Sequence, residues 1–249
     1  PNSINIKTGK IYGNNFPFIS FKDIEISQKL LLDNLGIVSL EAVIGPSIGG
    51  LMALEFSLLY PDYVKNLISI SSGYRLSTIQ LLHNLEQAYI LDLAKSSNGR
   101  ETEYLSLARM IAHKTYISLE LLSSRAKDES KYDKNFLEGF LSTSQESYMM
   151  HQGEKFIQRF TPDSYNSIIK GWQNFYIDTK EIKKLENINV LIISVDSDVC
   201  FYPEEQIEFA NLLKENGIKT TEKVINSTKG HDCFLLEPEL FKEVFKNFI

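Results

Sequence analysis

No apolar run in this chain reaches the roughly 18 residues that a membrane-crossing helix needs, so no transmembrane span is expected. Cysteine is scarce. Cys200 and Cys233 are the only two in 249 residues, and neither belongs to a Cys-x-x-Cys pair or a zinc-ligand spacing. Two reduced thiols in a cytoplasmic protein are therefore expected, with no metal site. A basic stripe is also missing. The lysines are scattered and the formal net charge is −6, which argues against a nucleic-acid surface. There is no internal repeat and no low-complexity tract, so nothing suggests a solenoid or a disordered array. The first residues do not read as a signal peptide. What remains is the composition of an ordinary globular protein, long enough for one large domain or two small ones.

The most informative stretch that is present runs from Leu40 to Gly50. An apolar run of strand character enters Gly45-Pro46-Ser47-Ile48-Gly49, and a helical pattern follows at once through Leu51, Leu54, Phe56 and Leu58. Gly-x-Ser-x-Gly between a strand and a helix is the context of a nucleophile elbow. Ser47 is expected on a sharp turn, with Gly45 and Gly49 removing side chains that would collide. The Ile48 amide is expected to point at a developing oxyanion.

The rest of the chain alternates around that elbow. Residues 21–36 read as a helix stopped by Gly36, and 64–71 as a short buried strand. From 74 to 184 no convincing strand occurs. Helical patterns cover 76–94, 103–126, 135–160 and 164–175, with polar connectors at 96–100 and 127–131. Sheet character returns at 188–195, followed by a helix at 203–215, a strand at 221–225 and a helix at 238–248. This order predicts a parallel α/β core, residues 1–73 and 186–249, interrupted by a helical cap at 74–185.

A serine hydroxyl needs a base. His83, His113 and His151 fall in the cap, where a structural role is the simpler expectation. His231 follows the last short strand, in a loop that lies over the elbow in a sheet of this class, and is the expected base. The base needs an acid to fix its tautomer. Asp196 and Asp198 both follow the 188–195 strand, and the position relative to Pro203 favours Asp198. Ser47, Asp198 and His231 then occur in the chain order of the α/β-hydrolase fold.

Further motifs extend the pattern: Thr8-Gly9-Lys10-Ile11-Tyr12-Gly13 with Phe16-Pro17, Gln28 to Gly36, Tyr60-Pro61-Asp62, Ala108-Arg109-Met110, Thr115-Tyr116, Gln152-Gly153-Glu154 and Gly230-His231-Asp232 with Phe234-Leu235. With these the chain resembles the homoserine O-acetyltransferase family of α/β-hydrolase enzymes over nearly its whole length. The resemblance implies acetyl transfer from acetyl-CoA, a co-substrate rather than a bound cofactor, to the homoserine hydroxyl in methionine biosynthesis. It assigns the triad to Ser47, Asp198 and His231. Arg109 and Tyr116 match residues that hold the amino acid, and Asp232 matches the carboxylate that receives its amine. A homodimer formed through the cap is a further implication. Arg109 and Tyr116 stand seven positions apart, which would place both on one face of a continuous helix.

The chain also departs from the family. Proline stands at 46 where glycine is usual, and the segment Ser124 to Asp128 keeps one arginine but lacks the usual phenylalanine and second arginine. Family members carry roughly a hundred residues ahead of the Thr-Gly-Lys motif, including early strands and the loop that supplies a second oxyanion amide. The chain is therefore expected to be the C-terminal part of a longer enzyme, with the elbow strand left at a sheet edge. Serine as acceptor, a succinyl donor, a plain serine hydrolase using water, and a non-catalytic partial domain needing another chain all remain open at this point.

Overall fold

The computed structural model describes residues 1–96, 99–125 and 143–249. The connector expected at 127–131, part of the 96–100 connector, the start of the 135–160 helix and most of the departure at 124–128 lie outside the described residues.

In chain order the elements are β1 (Ile4–Asn5), β2 (Lys10–Ile11), α1 (Phe21–Asn34), β3 (Val43–Pro46), α2 (Ile48–Leu59), β4 (Asn66–Ile70) and α3 (Thr78–Ala94). They continue with α4 (Glu101–His113), α5 (Leu119–Arg125), α6 (Ser144–Ile157), α7 (Pro162–Gln173), β5 (Asn189–Val195), α8 (Pro203–Glu215), β6 (Thr220–Ile225), α9 (Cys233–Leu236) and α10 (Glu239–Lys246). None of these helices is long and apolar enough to cross a membrane.

The chain divides into two compact units. Pro1–Ile19, Ser77–Lys114 and Leu119–Asn174 form a helical unit; Ser20–Leu76, Thr115–Ser118 and Phe175–Ile249 form a sheet unit. This differs from the division expected at 73/74 and 185/186. Residues 1–19 join the helical unit, where the Thr161 hydroxyl donates to Asn2 Oδ1 (3.2 Å). Residues 175–185 join the sheet unit, because Ile182 and Leu185 are fully buried beside Ile188 and Val190 in its core. Residues 115–118 join it through Ser118, whose amide donates to the Lys229 carbonyl and whose hydroxyl donates to that of Thr228.

In the sheet unit the strands are all parallel, in the order β3-β4-β5-β6. Register is set by pairs such as Gly45 with Ser69, Ile68 with Leu191 and Val195 with Ile225. Side chains alternate between faces with the two-residue period of a strand. Leu67, Val190 and Ile192 pack on Leu54, Phe56, Phe209 and Leu213. Ile68, Leu191, Ile193 and Val195 pack on the other face with Cys233 and Phe241. Each fully buried aliphatic or aromatic side chain contributes about 1.5–3 kcal/mol relative to exposure, so a nearly continuous apolar run such as 190–195 is held on both sides. Among the described residues β3 pairs only with β4, and Ile44 is 48% exposed.

The helical unit has its own core, made of Leu91, Leu105, Ala108, Phe156, Tyr165 and Ile169. Its helices begin where the sequence supplies caps. Ser77 with Gln80 opens α3 and Thr143 with Glu146 opens α6, each as a reciprocal capping box. The helix expected at 103–126 is two helices. α4 stops at His113, and the backbone of Tyr116 to Ser118 turns away to bond the loop carrying His231.

α1 carries one group that sets a pH dependence. Glu25 is 2% exposed and its Oε1 has no hydrogen-bond partner among the described residues. Burial, and secondly the charge of Glu55 on α2, push its carboxyl up to about 7. The ordinary carboxylate value is 4.5. Between the two values the native state binds more protons than the unfolded state, so stability falls as pH rises through this window. Glu25→Gln is expected to flatten that fall in thermal melts followed across the same range. An undiminished fall in the variant would assign the effect to another group.

Candidate active site

Ser47 joins β3 to α2 at φ 56, ψ −132, a conformation that non-glycine residues rarely adopt. Its amide donates to the Ile70 carbonyl (2.9 Å), which ties the turn to β4. Two glycines make the turn possible, and only one of them, Gly45, is among the two expected. A Cβ on Gly45 would lie 1.9 Å from the Gly49 carbonyl oxygen. A Cβ on Gly50 would lie 2.5 Å from Ser72 Cβ and 2.9 Å from the Gly45 oxygen. A Cβ on Gly49 would meet nothing nearer than Pro46 Cδ at 3.5 Å, so the expected crowding at Gly49 is corrected to Gly50. Pro46 fits for a related reason. In a parallel ladder, successive residues bond to opposite sides. Since the Ser47 amide faces β4, the Pro46 nitrogen faces the free edge of β3, where the observed sheet needs no donor.

His231 sits in a short 3-10 turn, Gly230–Asp232, between β6 and α9. Gly230 is required there on two counts. Its φ is +73°, and a Cβ would lie 2.4 Å from the Ser118 amide nitrogen. The turn brings His231 Nε2 to 2.8 Å from Ser47 Oγ and Nδ1 to 2.8 Å from Asp198 Oδ2. With a proton on Nδ1 donated to the carboxylate, Nε2 is left as the acceptor for the Ser47 hydroxyl. Asp198 and His231 are 1% and 2% exposed, whereas Ser47 is only half-buried, so the nucleophile alone reaches solvent.

The other oxygen of Asp198 accepts from the amides of Cys200 (2.8 Å) and Phe201 (2.9 Å). A carboxylate held by three donors cannot rotate freely. Asp196 is engaged elsewhere: its Oδ1 accepts from the Ser227 amide (3.0 Å). The geometry therefore joins Asp198, not Asp196, to His231. The Ile48 amide is the first of α2 and has no acceptor within the helix, so it stands at a helix N-terminus beside the nucleophile. Burial, and secondly the charge of Asp198, push the Cys200 thiol upward, so it is not a competing nucleophile. Neither cysteine is in a disulfide.

The three residues matched to substrate binding are distributed differently from the expectation. Tyr116 is not on the face of α4 that bears Arg109, because α4 has ended at His113. Tyr116 instead lies in the sheet unit, its ring centroid 6.2 Å from that of His231, and its carbonyl accepts from the Asp232 amide (2.8 Å). Arg109 belongs to the helical unit, where its guanidinium lies 4.8 Å from the centre of the Phe156 ring. Among the other histidines, His113 is buried with Nε2 3.2 Å from the Tyr148 hydroxyl. Burial first, then the charges of Arg109 and Arg125, lower its imidazole to about 4, which keeps it neutral. Sequence reasoning missed Phe201 and Gln206. The visible signal was only their place in the same loop and helix as Asp198.

Comparison with known proteins agrees with this fold. The α/β hydrolase fold family matches residues 7–238. The homoserine O-acetyltransferase of Methanosphaera stadtmanae is 34% identical over 100% of this chain and 54% of its own length. That of Haemophilus influenzae is 33% identical over 98% of this chain and 71% of its own. The chain thus spans about half the length of the Methanosphaera relative. Solved structures that cover 100% of the chain include a homoserine O-acetyltransferase from Bacillus anthracis (TM-score 0.89, 23% identity, 70% of that chain) and esterase E22 (TM-score 0.90, 20% identity, 71% of that chain). At those identities they speak to the fold alone.

Proposed function

The chain belongs to the homoserine O-acetyltransferase family of the α/β-hydrolase fold, and from that premise we propose that it moves an acetyl group from acetyl-CoA to the side-chain hydroxyl of homoserine. The observation that carries the reading is the unbroken line Ser47–His231–Asp198, with both contacts at 2.8 Å. Ser47 Oγ attacks the thioester carbonyl carbon while His231 Nε2 takes its proton, and Asp198 stabilises the imidazolium. The oxyanion forms beside the Ile48 amide. The carbon–sulfur bond breaks, and the thiolate of CoA leaves with the proton from His231. His231 then deprotonates the homoserine hydroxyl as it attacks the acyl carbon, and returns that proton to Ser47 Oγ as the acyl–serine bond breaks. In this reading Arg109 takes the substrate carboxylate, Asp232 its ammonium, and Tyr116 lines the acceptor position. Acetyl-CoA is a co-substrate and no resident cofactor takes part. A cytoplasmic place in methionine biosynthesis and a homodimer through the helical unit follow from the same reading.

A hydrolase using water is the second reading. The triad serves it equally, and the chain shares its fold with esterase E22. The one-sided pairing of β3 favours a third, in which activity needs further polypeptide along that edge, where it would also bring a second oxyanion amide. Release of CoA from acetyl-CoA and from succinyl-CoA, measured with homoserine, serine and water as acceptors, separates these readings.

Arg109→Ala sharpens the test. A hydrogen bond to a charged group is worth about 1.5–3 kcal/mol. The variant should lose that much in transfer to the amino acid, while acylation of Ser47 and release of the acetyl group to water proceed nearly as before. Single-turnover kinetics time the two half-reactions separately. Equal slowing of both would remove Arg109 from the acceptor clamp and strengthen the hydrolase reading.

A further inference from the structure

Phe201 touches two members of the triad at once. Its backbone amide donates to Asp198 Oδ1 (2.9 Å). Its ring lies against that of His231, with centroids 5.5 Å apart and planes 20° from parallel. Both nitrogens of the imidazole are already engaged, Nδ1 by Asp198 and Nε2 by Ser47, so only the ring faces and carbon edges are left for other contacts. Phe201 takes such a face, while the Phe234 ring meets the imidazole edge-on (centroids 5.6 Å apart). The titratable groups facing the imidazole are Tyr116, its ring 6.2 Å away, and the Asp198 carboxylate at Nδ1. The side chain is 1% exposed and its carbonyl accepts from Gln206 Nε2 (2.8 Å). Gln206 Oε1 in turn accepts from the Ser72 amide (3.3 Å), and Ser72 is the residue against which Gly50 of the elbow turn packs. A chain of contacts thus runs from the back of the elbow through Gln206 to Phe201, and from there to both the acid and the base.

We propose that Phe201 is a positioning residue of the triad, its amide fixing Asp198 and its ring face favouring the imidazolium form of His231. The face of a phenyl ring carries partial negative charge and attracts a cation within about 6 Å of its centre. The neutral imidazole gains little from that charge. The imidazolium forms in every step in which Ser47 or the acceptor hydroxyl loses its proton, so the ring contact is stronger at those moments than in the resting state. The inference rests on the triad assigned above but not on the identity of donor or acceptor.

The test reads Ser47 directly, without an acyl acceptor. The rate of Ser47 labelling by a fluorophosphonate is followed against pH for the wild type, for Phe201→Leu, and for a chain carrying pentafluorophenylalanine at 201. Labelling requires neutral His231, and a ring that favours the imidazolium places the acid limb of the profile at higher pH. Phe201→Leu should move that limb downward by about half to one pH unit. Pentafluorophenylalanine keeps the shape of the ring but inverts its quadrupole, so it should move the limb further in the same direction while the melting temperature stays near that of the wild type. An acid limb unchanged by the pentafluoro ring would overturn the proposal and leave Phe201 a packing residue. Absence of Ser47 labelling in the wild type at every pH would overturn the triad itself, and the proposal with it.

Discussion

Ser47→Ala is expected to lower turnover by roughly four to six orders of magnitude, the range seen when a triad serine is removed. The loss should fall on kcat, because in the proposed mechanism Ser47 forms a bond to the acyl group rather than a binding contact. Acetyl-CoA should still bind with similar affinity. Stability should change little or improve, since alanine removes a hydroxyl whose side-chain partner among the described residues is His231 Nε2, and the strained backbone at φ 56 remains. The outcome is checked by steady-state release of CoA together with intact mass after exposure to acetyl-CoA. The wild type should show a trapped acetyl group on the peptide containing Ser47, and the variant none. Retention of most turnover by Ser47→Ala would remove the acyl-enzyme route. The acceptor would then have to attack the thioester directly with His231 as its base.

The elbow was legible in the sequence because its requirements are local. Gly45, Ser47 and the apolar runs on either side lie within one strand–turn–helix, and local sterics decide the outcome. The misassignment at Gly49 shows where that stops. Gly50 is needed because of Ser72, a residue on the next strand connection, and no pattern along the chain reveals that distance. Asp198 over Asp196 was favoured by its position before Pro203, but the cause is tertiary: the Cys200 and Phe201 amides hold one oxygen while His231 takes the other. Tyr116 marks the opposite case. Helical spacing from Arg109 suggested a shared face, and the apolar periodicity of 103–126 supports a continuous helix. The helix breaks at His113 because the backbone of residues 116–118 finds partners in the loop at 228–232. Those bonds, made to chain more than a hundred positions away, outweigh the local preference for helix. Phe201 escaped notice because a phenylalanine after a sheet strand reads as core, and here it is core as well.

Asp198→Asn should be severe while leaving the shape of the site intact, with an expected loss of about 10⁴ in turnover. The argument follows from which atom each partner must offer. Asp198 Oδ1 accepts from the Cys200 and Phe201 amides, and an asparagine would keep its carbonyl oxygen in that place because an amide nitrogen has no lone pair to accept with. Its NH₂ group would then occupy the position of Oδ2, 2.8 Å from His231 Nδ1. Nδ1 would be forced to accept, the ring proton would move to Nε2, and Nε2 would present a donor to Ser47 rather than the lone pair that takes its proton. The imidazolium would also lose its counter-charge. Folding should survive, because the hydrogen-bond pattern of the loop is preserved. Asp196→Asn is the matched control. Its side-chain oxygen can still accept from the Ser227 amide, and it has no contact with His231, so turnover should stay within a factor of about 2–3. Ser47 labelling by a fluorophosphonate, read alongside thermal melts, separates the two variants without reference to the natural acceptor. If Asp196→Asn proved severe and Asp198→Asn mild, the acid would belong to the other carboxylate. The 2.8 Å contact to His231 Nδ1 would then be structural only.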